Sequence, residues 1–123
     1  MRSVLTLTSV GDEHPTPFVW FAHEPEIVRI EFVHCTWRVP RGVLVDGLDE
    51  LATWHDLAVW PNNDGSGELT LAFTNPEETR SVVEMVTSRA GLARFVRETL
   101  LVVPRDLSRR FTLGAFLAGV GGA

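Results

Sequence analysis

The amino-acid sequence predicts an α+β protein, an antiparallel β-sheet of about six or seven strands with helices from its C-terminal part packed on it. Three observations point there. Leu57 and Val59, and then Leu69, Leu71 and Phe73, alternate with other residues on either side of Pro61-Asn62-Asn63-Asp64-Gly65-Ser66-Gly67. Period two, turn residues, period two is the signature of a hairpin, and Pro61, which has no N–H to donate, sets the end of its first strand near Trp60. Further β-rich runs precede this hairpin. After it, Leu92, Phe95 and Val96 fall on one helical face while Arg89, Arg94, Arg97 and Glu98 lie largely opposite.

Taken in order, Ser3 to Val10 reads as the first strand, and Gly11 to Pro17, with its two prolines, as a break. Phe18 to Ala22 is a short apolar run, Glu24-Pro25-Glu26 a turn, and Ile27 to Val33 a strand whose apolar face is Val28, Ile30 and Phe32. These two runs are expected to be neighbours in a meander. A tight connection at His34 leads to a short strand, Cys35 to Val39; Pro40 then opens a helix of about two turns reaching Gly47. Asp49 to Trp54 leads back to the central hairpin.

From Asn75 two readings are open. Asn75-Pro76-Glu77-Glu78 has the form of an N-cap followed by an N1 proline, which would open a single helix to Leu100. Thr79, Val82, Val83, Val86 and Thr87 are β-branched, however, and Gly91 would fall mid-helix at a cost of about 1 kcal/mol. That composition favours a strand from Thr79 to Val86 and a helix capped by Thr87 or Ser88 and ended by Pro104. Thr112 caps a short apolar tail helix bearing Leu113, Phe116, Leu117 and Val120, which needs a surface to dock on. The expected core is Leu5, Leu7, Val28, Ile30, Phe32, Val59, Leu69, Leu71, Phe73, Phe95 and Val96.

The chain of 123 residues fits a single domain, residues 1–123, able to hold its own core. No window is apolar enough for a membrane span, and the first residues alternate apolar with Thr and Ser, unlike an export signal. One cysteine, Cys35, fits a reducing compartment, so a cytoplasmic protein is expected. All eleven basic residues are arginine, yet the net charge is −5, which argues against a phosphate-backbone partner.

Candidates for chemistry are few. His14, His23, His34 and His55 with Cys35 and Asp56 invite a metal or hydrolase reading, but no CxxC or HxxxH spacing is present, and adjacent His34 and Cys35 on a strand point to opposite faces. No metal, cofactor or catalytic residue is predicted. The turn Asp64-Gly65-Ser66-Gly67 lacks a lysine and joins strand to strand, so it is no phosphate loop. Arg89, Arg94, Arg97, Arg105, Arg109 and Arg110 form the one basic cluster, diluted by Glu98 and Asp106. Two or three of the four tryptophans, Trp20, Trp37, Trp54 and Trp60, are expected in the core. Trp54 and Trp60, evenly spaced and read as sharing a face, are the interface candidates, with Arg94, Arg97, Leu113 and Phe116 beside them as partner or subunit contacts.

The ordered set Trp37-Arg38-Val39, Arg41, Asp46-Gly47-Leu48, Leu57-Ala58-Val59-Trp60-Pro61, Asn75-Pro76-Glu77, Phe95-Val96-Arg97, Val103-Pro104 and Phe111-Thr112-Leu113 resembles the SsgA-like proteins of sporulating actinomycetes over roughly residues 17–118. The resemblance implies a curved antiparallel sheet with packed helices, similar to the whirly-type fold, and a homo-oligomer, a trimer. It implies no enzymatic activity and no cofactor. It implies a regulator of septum formation acting by protein contacts at the division septum, with FtsZ or another SsgA-like protein as partner. Whirly-type folds elsewhere bind single-stranded nucleic acid, which is the alternative function.

Overall fold

The computed structural model describes residues 1–74 and 82–105. Eight strands form one antiparallel sheet: β1 (Arg2–Ser9), β2 (Asp12–Trp20), β3 (Ile27–Glu31), β4 (Thr36–Pro40), β5 (Ala52–Trp54), β6 (Leu57–Pro61), β7 (Glu68–Thr74) and β8 (Val82–Ser88). Helix α1 (Arg41–Gly47) follows β4, and α2 (Arg89–Val102) follows β8. Sheet order is β4-β3-β2-β1-β8-β7-β6-β5. The α+β class therefore holds, with slightly more strands than the sequence predicted.

The central hairpin is as read, with Val59 opposite Leu71 and Leu57 opposite Phe73. Its loop is fixed locally: the Ser66 N–H donates to Asp64 Oδ1 at 3.0 Å, and the Ser66 hydrogen bonds hold the Asp64 carboxyl below its usual range. Gly65 and Gly67 take positive φ there.

The expected break between Gly11 and Pro17 is a hairpin and a strand instead. Val10 and Gly11, with φ of 50° and 83°, make a two-residue turn between paired Ser9 and Asp12, and β2 then carries Pro15 opposite Thr6 and Pro17 opposite Val4. The reason lies in the next ladder. On its other side β2 pairs with β3 only at Phe18, Val19 and Trp20, so its first part has a single hydrogen-bonded neighbour. Two prolines two residues apart place both missing donors on one edge of the strand, where nothing needs them.

Strand β5 lies in the stretch Asp49 to Trp54, which the sequence marks only as a lead-in to the hairpin. Ala52, Thr53 and Trp54 pair with Val59, Ala58 and Leu57 through a turn at His55-Asp56, with His55 at φ 47°. The strand predicted from Cys35 begins at Thr36, because Cys35 closes the preceding turn, its carbonyl accepting from the Phe32 N–H at 2.8 Å.

Of the two readings for the segment after Asn75, the strand-then-helix one is correct where the chain is described; the Asn75–Glu78 turn and the start of the strand at Thr79 lie outside the described residues. Ser88 is the cap, its Oγ accepting from the Gly91 N–H at 3.0 Å. Thr87 has another role: its hydroxyl donates to the Thr6 carbonyl at 2.9 Å and joins β8 to β1, which otherwise pair only at Thr8 and Val86.

The sheet curls until its two halves meet. Phe73 of β7 lies 4.7 Å from the Trp37 ring of β4 and 5.6 Å from Phe32, although four strands separate β7 from β4 in the sheet. The inward face is the alternate set Leu5, Leu7, Phe18, Trp20, Val28, Ile30, Val39, Leu57, Val59, Leu69, Leu71 and Phe73, all buried. Phe32, expected in the core, is half-buried at the rim. Helix α2 covers the opposite mouth with Leu92, Phe95, Val96 and Thr99 buried, and Phe95 meets Phe18 edge-to-face at 6.0 Å. Helix α1 lies against β4, β5 and β6 and fills the seam that the outer strands leave open. Gly47 makes that approach possible, since a Cβ there would sit 2.4 Å from Val59 Cγ1.

Candidate interaction surface

The sequence placed Trp54 and Trp60 on one face; the structure places them on opposite faces. They stand on different strands, and Trp54 pairs with Leu57 while Trp60 pairs with Thr70. Cross-strand partners share a face and neighbours alternate, so Trp54 belongs with inward Leu57 and Val59, and Trp60 with outward Ala58. Even spacing was a guide only while one strand was assumed. The turn at His55-Asp56 breaks the count. Of the four tryptophans Trp20 is fully buried, Trp37 and Trp60 are half-buried, and Trp54 is exposed with its ring 4.5 Å from that of His55.

Trp60 lines a cleft of about 520 Å³ with Asp49, Glu50, Leu51, Pro61 and Asn63. Continuing the β5–β6 register one step places Leu51 opposite Trp60, so the two share the outward face. Leu51 is 64% exposed, an apolar side chain left in water beside an indole. The rim is acidic. Arg89 reaches it from the start of α2, donating from Nε to the Leu48 carbonyl and from Nη2 to Asp49 Oδ1, each at 2.7 Å.

The basic cluster read from the sequence divides in the fold. Arg89 is held at Asp49, and Arg105 grips Asp46 of α1 through both guanidinium nitrogens at 2.7 and 3.1 Å. Arg94 and Arg97 remain on the exposed face of α2, in line with Leu101, which is 80% exposed. Arg109, Arg110, Leu113 and Phe116 lie outside the described residues. A second cleft, of about 600 Å³, opens at the barrel mouth among Phe32, Trp37, Phe73, Val83 and Met85, with exposed Cys35 on its edge.

His14, His23, His34 and His55 are all exposed. Among the described residues no three His, Cys, Asp or Glu side chains come together as metal ligands. Among the described residues the most deeply buried charge is Arg41, which lies over the Trp20 ring at 5.6 Å; burial first, and the charge of Arg105 second, lower its pKa, while Glu26 opposes them. Among the described residues no helix is long and apolar enough to cross a membrane.

Sequence reasoning missed Asp49, Glu50 and Leu51. The available signal was Leu51, an apolar residue after two acids just ahead of a strand, but its neighbour across the sheet emerges only once β5 is recognised.

Comparison with known proteins now gives the fold a context. A solved structure described by the words "Mutations in SsgB correlate to longitudinal cell division during sporulation of Streptomyces coelicolor" is 23% identical, covers 89% of this chain and 90% of its own, and has a TM-score of 0.73. An SsgA-like sporulation-specific cell division protein from Thermobifida fusca YX-ER1 is 19% identical, covers 97% and 93%, and has a TM-score of 0.76. These likenesses establish the fold. No curated protein matches the sequence. The family model for "Streptomyces sporulation and cell division protein, SsgA" matches residues 15–107, and the chain belongs to that family.

Proposed function

We propose that this protein is a non-enzymatic regulator or adaptor of septum formation in sporulation-associated cell division, acting through protein–protein contacts that recruit the FtsZ-type ring. It works at the division septum as a homo-oligomer, a trimer, with FtsZ or another SsgA-like protein as its partner. Family membership over residues 15–107 is the observation that carries this reading. The surface supports it in chemistry. Leu51, Trp54, Val82 and Leu101 are exposed apolar side chains, Arg94 and Arg97 are exposed cations, and tryptophan and arginine are among the residues enriched at the energetic centres of protein contacts. The barrel interior, by contrast, is filled with side chains.

The test is a pull-down with purified FtsZ and SsgA-like proteins from a sporulating actinomycete, combined with light scattering. Capture of one of them by an oligomer of the 13.7 kDa chain is the expected result. A strict monomer that captures none of them overturns the reading.

A further inference from the structure

We propose that the Trp60 cleft is one half of a self-association contact, and that its occupant is the outward face of α2 from a second copy, carrying Arg94, Arg97 and Leu101. The inference rests on the oligomeric adaptor described above and names the surfaces by which copies meet. The cleft has an apolar floor of Leu51, Trp60 and Pro61 and a carboxylate rim of Asp49 and Glu50. Such a site selects a cation next to an apolar side chain, and an arginine can stack on the indole while its donors reach the acids. The chain itself shows that the rim accepts arginine: Arg89 occupies Asp49 Oδ1 at 2.7 Å, and Asp49 remains 79% exposed with its second oxygen available.

Helix α2 presents the complement. Arg94, Arg97 and Leu101 are spaced i, i+3 and i+7, which sets them along one face. Leu101 is 80% exposed. Among the described residues Arg94, Arg97 and Glu50 form no ion pair. Copies with a net charge of −5 repel at long range, and local pairing of opposite charge between these two surfaces offsets that repulsion and sets the register of the contact. They are separate on the protomer. Each copy can therefore offer its helix to one neighbour and its cleft to the next, which closes a ring.

The experiment is light scattering over a concentration series on the full chain, with Glu50→Arg, Arg97→Glu and the double variant Glu50→Arg/Arg97→Glu. Both positions are exposed, and circular dichroism is the check that each variant folds. Each single variant should weaken association at least tenfold, because like charges then face each other across the contact. The double variant should restore it, since the reversed charges meet again in every copy. Variants that associate like the wild type, or a double variant as weak as the singles, overturn the assignment and leave the adaptor reading intact. A monomeric wild type overturns both the contact and the oligomeric part of that reading.

Discussion

Replacing Gly47 with Ala tests whether α1 is seated by close backbone approach. The added Cβ would lie 2.4 Å from Val59 Cγ1, 2.6 Å from Val59 Cβ and 3.3 Å from the Val59 carbonyl oxygen. A rotamer change at Val59 moves the methyl but neither of the other two atoms, so the helix must withdraw by about 1 Å to reach ordinary carbon contact. Overpacking of this kind costs roughly 1–3 kcal/mol. Against it stands a gain of about 0.4–1 kcal/mol, because alanine narrows the unfolded ensemble and Gly47 does not use a positive φ. The clash wins, by about 1–2 kcal/mol. Urea unfolding followed by tryptophan fluorescence should show a midpoint lower by roughly 0.5–1 M with an unchanged slope. Gly91→Ala is the control. Its nearest obstacle is Leu5 Cδ2 at 3.2 Å, the far end of a flexible side chain, and the Ser88 cap bonds a backbone N–H that alanine keeps. That variant should be neutral or more stable by about 0.5 kcal/mol. A Gly47→Ala protein as stable as the wild type would refute the argument that the seam is sterically set.

Three further substitutions probe the β1–β2 turn, the barrel mouth and the cap of α2. Val10 is fully exposed at φ 50° in a two-residue turn with Gly11, so Val10→Asn should raise stability by about 1 kcal/mol, and an unchanged or lower melting temperature would count against it. Phe95 is buried against Phe18, and Phe95→Ala should cost about 3–5 kcal/mol in the same urea assay; a loss under 1 kcal/mol would mean that α2 does not seal the barrel mouth. Ser88→Ala removes the acceptor for the Gly91 N–H and should cost about 1 kcal/mol, with faster hydrogen exchange confined to the first turn of α2 as the local sign.

What could be read from the sequence was whatever one strand or one helix decides by itself. The alternation of Leu69, Leu71 and Phe73, the helix opened by Pro40, and the β-branched run before Ser88 each carry their own evidence, and each element formed as expected. The misreadings arose where a neighbour decides. Pro15 and Pro17 are strand breakers in isolation and strand residues here, because β3 pairs with β2 only beyond Pro17. Trp54 and Trp60 share a face only if one strand carries both, and His55-Asp56 is not a turn pair that composition announces. Curvature was beyond local signals too: nothing in the spacing of Phe32, Trp37 and Phe73 says that their rings will touch. The candidate site suffered most. Arg89 and Arg105 were legible as cations, but only the fold shows that the end of α1 and the two residues after it take both of them and leave Arg94 and Arg97 outward.

That division of the arginines links the stability of the fold to its contact surface. Helix α1 has only seven residues, too few to persist alone, and packing holds it through buried Leu44 and the approach of Gly47 to Val59. Its C-terminal end is then held from either side of α2, by Arg105 beyond Val102 on Asp46 and by Arg89 on Leu48 and Asp49. Ion pairs as exposed as these contribute at most about 1 kcal/mol each, so their weight lies in orientation more than in stability. What they orient is the segment Asp49-Glu50-Leu51, which follows α1 directly and forms the rim beside Trp60. The helix that fixes the rim is also the helix whose outward face carries Arg94, Arg97 and Leu101. Cleft and helix face are thus held in one fixed relation on each protomer, and in the proposed self-association that relation would set the angle at which copies join.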